Sequence, residues 1–148
     1  MTIPIRVLFI CTHNSARSQI AEALLGRDGG DRFEAHSAGT EATGVRSQTV
    51  AVLHELGIDW SNARSKTITE FLDQPFDYVI TVCDDARDAC PVFPGARTTL
   101  HWNLVDPSAV EGTEEERLHA FRTTVADVES RLRAFIAEAT RPNVAGPA

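Results

Sequence analysis

Apolar and polar positions along this chain fall into two alternating periods. Val7-Leu8-Phe9-Ile10 is a continuous apolar run of strand length. A short polar turn separates it from Ser18-Gln19-Ile20-Ala21-Glu22-Ala23-Leu24-Leu25, which repeats at helical spacing. Gly26, Gly29 and Gly30 then mark a break, Phe33 to Ser37 reads as a second strand, and Ala38-Gly39-Thr40 as a turn. Val45 to Leu56 is expected to be a helix with Val52, Leu53 and Leu56 inward and Gly57 as its stop. A short helix over Thr67 to Leu72, closed by Pro75, precedes a third strand at Asp77 to Val82. Asp84 opens a further short helix that Pro91 bounds, and Thr98 to Leu100 is a weaker fourth strand. Thr113-Glu114-Glu115-Glu116 forms a capping box before a long helix. Its Leu118, Phe121, Val125, Val128, Leu132 and Phe135 repeat at steps of three and four, as a core-facing stripe does.

Strands alternating with helices predict an α/β fold: a single domain built on a parallel sheet flanked by helices. The 148 residues suffice for one core, with residues 1–140 as the domain and 141–148, which hold two prolines and a glycine, as a frayed tail. The net charge of −7 argues against nucleic acid and anionic membranes as partners. No apolar run approaches roughly 18 residues, and Met1 to Arg6 lacks a signal-peptide pattern, so the cytoplasm is the expected compartment. Three cysteines, an odd number, do not suggest a structural disulfide framework. No metal site is expected, since Cys11 and His13 are too close for an ordinary ligand pair and no Cys-x2-Cys knuckle is present.

The chemistry concentrates in Cys11-Thr12-His13-Asn14-Ser15-Ala16-Arg17-Ser18. A loop from the carboxyl end of a strand to a helix N-terminus aims backbone N–H groups inward, so residues 12–18 form an oxyanion nest. Arg17 would grip the anion with two parallel bonds. Cys11 at the floor is then a nucleophile, with Ser18 placed to donate a hydrogen bond to its sulfur. Asn14 suits a position that needs positive φ.

Cys83 also follows a strand, so it can reach the same sheet edge. Cys90 stands seven residues beyond. A helix between them would hold these two about 10 Å apart, too far for a disulfide without unwinding. Both could be buried small hydrophobes. Together with Cys11 they could also form a relay, in which a second thiol attacks the nucleophile and a third resolves the disulfide. Asp106, stiffened by Pro107, could pass a proton to a departing oxygen.

These residues resemble the thioredoxin-coupled arsenate reductases, which share the low-molecular-weight tyrosine phosphatase fold. The matching stretches are Cys11 to Gln19, Ser37-Ala38-Gly39, Thr81-Val82-Cys83, Cys90-Pro91, His101-Trp102-Asn103, Asp106-Pro107 and Gly112 to Glu116. The resemblance implies a four-stranded, Rossmann-like parallel sheet and no bound cofactor, with reducing equivalents drawn from thioredoxin. It also implies arsenate as the substrate, with phosphate or sulfate as competing oxyanions, and a monomer is the default expectation. Cys11 would attack arsenic while Asp106 assists loss of water. A Cys11–Cys83 disulfide and then a Cys83–Cys90 disulfide would follow. His13 stands where many relatives have Gly, and Ala16 where many have a further Cys. Some relatives hold a monovalent cation with residues matching Asn14, Glu22 and Ser37 and an acid aligned to Lys66. Here the Lys66 ammonium is expected to take the ion's place.

Two other functions compete. A protein tyrosine phosphatase would use the same nest, but Ser108 in place of an aromatic after Asp106-Pro107 and the Cys83/Cys90 pair count against it. A non-catalytic oxyanion or redox sensor would keep the cysteines and need no Asp106. Weak phosphatase side activity is expected beside the reductase.

Overall fold

The computed structural model describes residues 3–84 and 91–142. Within them run β1 (Ile5–Cys11), α1 (Arg17–Gly29), β2 (Phe33–Gly39), α2 (Ser47–Glu55), β3 (Phe76–Thr81), β4 (Ala96–His101) and α3 (Glu114–Ala139). The four strands form one parallel sheet in the order β2-β1-β3-β4, the single-domain α/β fold the sequence predicts. The chain leaves β1 toward β2 on one side and returns to β3 on the other. A crevice therefore opens at the carboxyl ends of β1 and β3, where open α/β sheets bind ligands.

Parity along β1 divides the core. Val7, Phe9 and Cys11 face the layer holding Ile20, Leu24, Val128 and Leu132. Leu8 and Ile10 face Phe71, Phe76, Val79 and Phe93 on the opposite side. A strand buried on both faces needs a continuous apolar run, which is what Val7 to Ile10 supplies. The stripe of α3 packs as expected, with Phe121, Val125, Val128, Leu132 and Phe135 buried and Leu118 partly so. Thr113 caps it: its hydroxyl accepts from Glu116 N–H while the Glu116 carboxylate accepts from Thr113 N–H, both at 3.1 Å.

Several boundaries differ from the sequence reading. Helix α1 runs through Gly26 and ends only at Gly30, which adopts φ 55°. Strand β2 extends through Ala38 to Gly39, because its pairing with β1 continues to Cys11↔Gly39. Helix α2 begins two residues late and ends at Glu55, so Leu56 falls outside the last turn and is exposed rather than inward. The short helix is a single 3-10 turn, Ile68–Phe71. The expected helix from Asp84 to Pro91 falls largely on residues 85–90, outside the described residues, as do residues 143–148 of the expected tail.

Candidate active site

The loop between β1 and α1 is held from outside by its carbonyl groups. Thr12 O accepts from Glu41 N–H and the Thr40 hydroxyl at 3.0 Å each. His13 O accepts from the Ser65 hydroxyl at 3.1 Å. Ser15 O accepts from Arg46 N–H at 3.0 Å and from the Thr49 hydroxyl at 2.8 Å. With these carbonyls tied outward, the alternate faces of the peptides turn toward the centre, and Asn14 N–H reaches Cys11 Sγ at 3.2 Å. Asn14 takes φ 50°, the left-handed conformation expected of it.

Cys11 is free and almost fully buried. Its Sγ lies 2.8 Å from Ser18 Oγ. The direction of that bond follows from its neighbour. Asn14 Nδ2–H donates into Ser18 Oγ at 2.8 Å, which leaves the hydroxyl proton to point at sulfur. Two donors thus converge on Sγ, the environment a thiolate requires.

Arg17 opens α1 and is buried. Its Nη1–H donates to the carbonyl of Leu104 at 3.1 Å, and Nη2 stands 3.8 Å from Asp106 Oδ2. Asp106 is itself fixed by Ser108 N–H, which donates to Oδ1 at 2.9 Å in a turn begun by Pro107. Cys11, Arg17 and Asp106 therefore meet at one sheet edge, as expected from their separate motifs.

Cys83 follows β3 at the same edge. Its Sγ is 3.9 Å from the carbonyl oxygen of Ile10, the residue before Cys11. Cys83 is disulfide-bonded, so this short approach is contact rather than a hydrogen bond. Cys90 lies outside the described residues.

Behind the loop runs a polar chain that links Lys66 to the nucleophile. Asn14 Nδ2–H also donates to Ser37 Oγ at 2.9 Å, and the Ser37 hydroxyl donates to Glu22 Oε1 at 2.5 Å. Lys66 Nζ stands 3.8 Å from the same Glu22 oxygen and donates to Arg64 O at 2.8 Å. Lys66 N–H reaches Asn14 Oδ1 at 2.7 Å. Burial pushes the Lys66 ammonium below its ordinary pKa, and Glu22 opposes that shift. The four residues expected to support the loop are thus in one network.

Sequence reasoning missed three parts of this site. Gln19 is buried and ties the loop to the 60s segment: its Nε2 donates to Asn14 Oδ1 at 2.8 Å and to Arg64 O at 3.1 Å, while Oε1 accepts from Trp60 Nε1 at 2.9 Å. Gly39 packs so closely that an added Cβ would meet Thr12 O at 2.7 Å and Asn14 N at 2.8 Å. The Leu104 carbonyl that receives Arg17 is a backbone group and leaves no mark in a sequence.

Residues 6–144 match the family described as low molecular weight phosphotyrosine protein phosphatase. Arsenate reductases of Halalkalibacterium halodurans and Bacillus subtilis are 40% and 39% identical over 129 residues, covering 87% of this chain and 93% of theirs. Among solved structures, an arsenate reductase in the phosphate binding state superposes with a TM-score of 0.76 at 31% identity, covering 90% of this chain and 98% of that one. The thioredoxin-dependent arsenate reductase of Corynebacterium glutamicum gives a TM-score of 0.67 at 31% identity, over 95% of this chain and 66% of that one.

Proposed function

The chain belongs to the low molecular weight phosphotyrosine protein phosphatase family, among its arsenate reductases, and on that premise we propose that it reduces arsenate to arsenite through a three-cysteine relay regenerated by thioredoxin. Arsenate enters the loop of residues 12–18, its charge met by inward N–H groups and Arg17. Cys11 thiolate forms an S–As bond as one oxygen leaves, and Asp106 donates the proton that makes that oxygen water. Cys83 then attacks Cys11 sulfur. The S–S bond forms, the S–As electron pair passes to arsenic, and arsenite departs with arsenic reduced by two electrons. Cys90 attacks Cys83 in turn, freeing Cys11 as thiolate, and the dithiol of thioredoxin reduces the Cys83–Cys90 disulfide. The reaction belongs in the reducing cytoplasm, and no bound cofactor takes part.

The observation that carries this reading is the state of two sulfurs at one sheet edge. Cys83, against the carbonyl of Ile10, is disulfide-bonded, while Cys11 is free under two hydrogen-bond donors. Cys90→Ser tests the relay. After one arsenate turnover this variant should stall with Cys11 joined to Cys83, visible by mass spectrometry of its peptides. Sustained thioredoxin-driven turnover by Cys90→Ser would remove Cys90 from the mechanism.

A further inference from the structure

Between β4 and the last turns of α3 lies a cavity of about 500 Å³, lined by Tyr78, Leu100, Trp102, Arg131, Phe135 and Glu138 among others. Cys11, Arg17 and Asp106 do not line it, so it stands apart from the oxyanion site. Its walls are mostly aromatic: the Tyr78 and Phe135 rings meet edge to face at 4.9 Å, and Trp102 packs on Phe135 at 6.3 Å. Trp102 is only 8% exposed, yet its indole N–H has no hydrogen-bond partner among the described residues, and the Tyr78 hydroxyl has none either. Neither atom is among the unpaired polar atoms sealed from solvent, and this cavity is a space that both residues line. An aromatic cleft of this size with a few open polar groups is the ordinary form of a small-molecule site.

The polar groups are sorted by end. Arg131 stands at the Trp102 end, where its Nη2 donates to the carbonyl of Asn103 at 3.4 Å. Its Nε is paired with Asp127 at 2.8 Å, which leaves Nη1 for an anion. Glu138 lies two helical turns on, about 10.5 Å along the axis, and accepts from Arg141 at 2.9 Å. Tyr78 belongs to that end, since with Ala139 it also lines a smaller cavity adjoining this one. One end thus offers a cation and an indole N–H, both of which require an acceptor. The other offers a carboxylate and a phenol, which take up a hydroxyl and repel a second acid.

We propose that this cavity binds a phenolic acid: an extended aromatic molecule with a carboxylate at one end and a hydroxyl at the other, as in p-hydroxycinnamate. The carboxylate accepts from Trp102 Nε1–H and Arg131 Nη1–H, bonds strengthened by charge in a largely apolar surround. The ring lies against Phe135 and Leu100. The phenolic hydroxyl donates to Glu138 and accepts from the Tyr78 hydroxyl. A bare oxyanion has no ring to fill this space, and a dicarboxylate would set its second charge against Glu138.

The test titrates p-hydroxycinnamate into the nitrogen-15-labelled protein and follows the two indole N–H resonances by NMR. That of Trp102 should move downfield and saturate, while that of Trp60, already bonded to Gln19, should stay in place. Methyl p-hydroxycinnamate lacks the carboxylate and cinnamate lacks the hydroxyl, and each should bind about tenfold more weakly. Arg131→Gln removes an exposed ion pair, so the fold should be kept. It should weaken p-hydroxycinnamate by about the same factor and leave the methyl ester unchanged, a difference that altered packing alone would not produce. Three results would overturn the site: no saturable Trp102 shift up to about 10 mM ligand, equal affinity for acid and ester, or shifts confined to residues 12–18. The last would mean that the carboxylate binds as an oxyanion in the loop. A Trp102 shift that depends on protein concentration without ligand would instead make this face a contact between two copies, which also overturns the proposal.

Discussion

Replacing Lys66 by Met keeps the aliphatic stem and removes one charge from the network behind Cys11. Lys66 and Glu22 are both mostly buried, with side chains 15% and 20% exposed and Nζ 3.8 Å from Oε1. At an effective dielectric of about 20 their attraction is ~4 kcal/mol. Desolvation of the ammonium, the dominant influence on its depressed pKa, outweighs that attraction. Lys66→Met should therefore be at least as stable as wild type at neutral pH, and what it loses is the counter-charge that orders Glu22. Glu22 would then lack its counter-charge while still accepting from Ser37, which holds Asn14 and through it Ser18. A potassium ion can fill that deficit from solution. Denaturant unfolding and arsenate turnover are compared in potassium chloride and in tetramethylammonium chloride at equal ionic strength. Wild type should be nearly indifferent to the cation, whereas Lys66→Met should turn arsenate over several-fold more slowly in tetramethylammonium and be partly restored by potassium. Lys66→Asp should become potassium-responsive. The folded-state pKa of Lys66 lies below its ordinary 10.5, so the unfolded chain binds more protons as pH rises toward that value. This group therefore makes stability rise with pH over that window, and Lys66→Met should lose the slope. Strong potassium activation of wild type, with Lys66→Met as active as wild type in tetramethylammonium, would refute the reasoning.

Gly39→Ala should cost about a hundredfold or more in arsenate kcat/KM, because the atoms nearest its Cβ would be backbone atoms of Thr12, Asn14 and Glu41 at 2.7–2.9 Å, and it must displace the loop. Native circular dichroism with near wild-type kinetics would show that the loop can yield. Glu34 is held below the usual carboxylate range by its hydrogen bond with His36 and then by that from Arg6, at 2.8 and 2.7 Å. Its contribution is present above 4.5 and lost as pH falls through the lower folded-state value, and exposure keeps it small. Glu34→Gln should accordingly flatten acid unfolding in that range, as followed by fluorescence against pH.

What was legible in the sequence was what neighbours along the chain decide. The strand before Cys11, the left-handed Asn14, the Ser18 contact and the Thr113 capping box each depend on a few consecutive residues. The stripe of α3 is equally local, because its period belongs to one helix. What escaped depends on distant parts meeting. Strand β2 runs on to Gly39 only because β1 is there to pair with it, and Gly39 is required only because Thr12 and Asn14 cross it closely. Gln19 reads as an ordinary polar helix position until Trp60 and Arg64 close over it. Leu56 was misplaced for the opposite reason: the helical period was continued one residue past the end of α2.

The central claim is that Cys11 and Cys83 together turn arsenate over at the expense of thioredoxin. Arsenate-dependent NADPH oxidation, coupled through thioredoxin and its reductase, measures this directly for wild type, Cys11→Ser and Cys83→Ser. Wild type should oxidise NADPH continuously and release one arsenite for each NADPH consumed. Cys11→Ser should be inert, because a serine hydroxyl stays protonated and cannot join a disulfide. Cys83→Ser should form the arsenic adduct and stop. Sustained NADPH oxidation by either variant, or none by wild type with arsenate and thioredoxin in excess, would contradict the account.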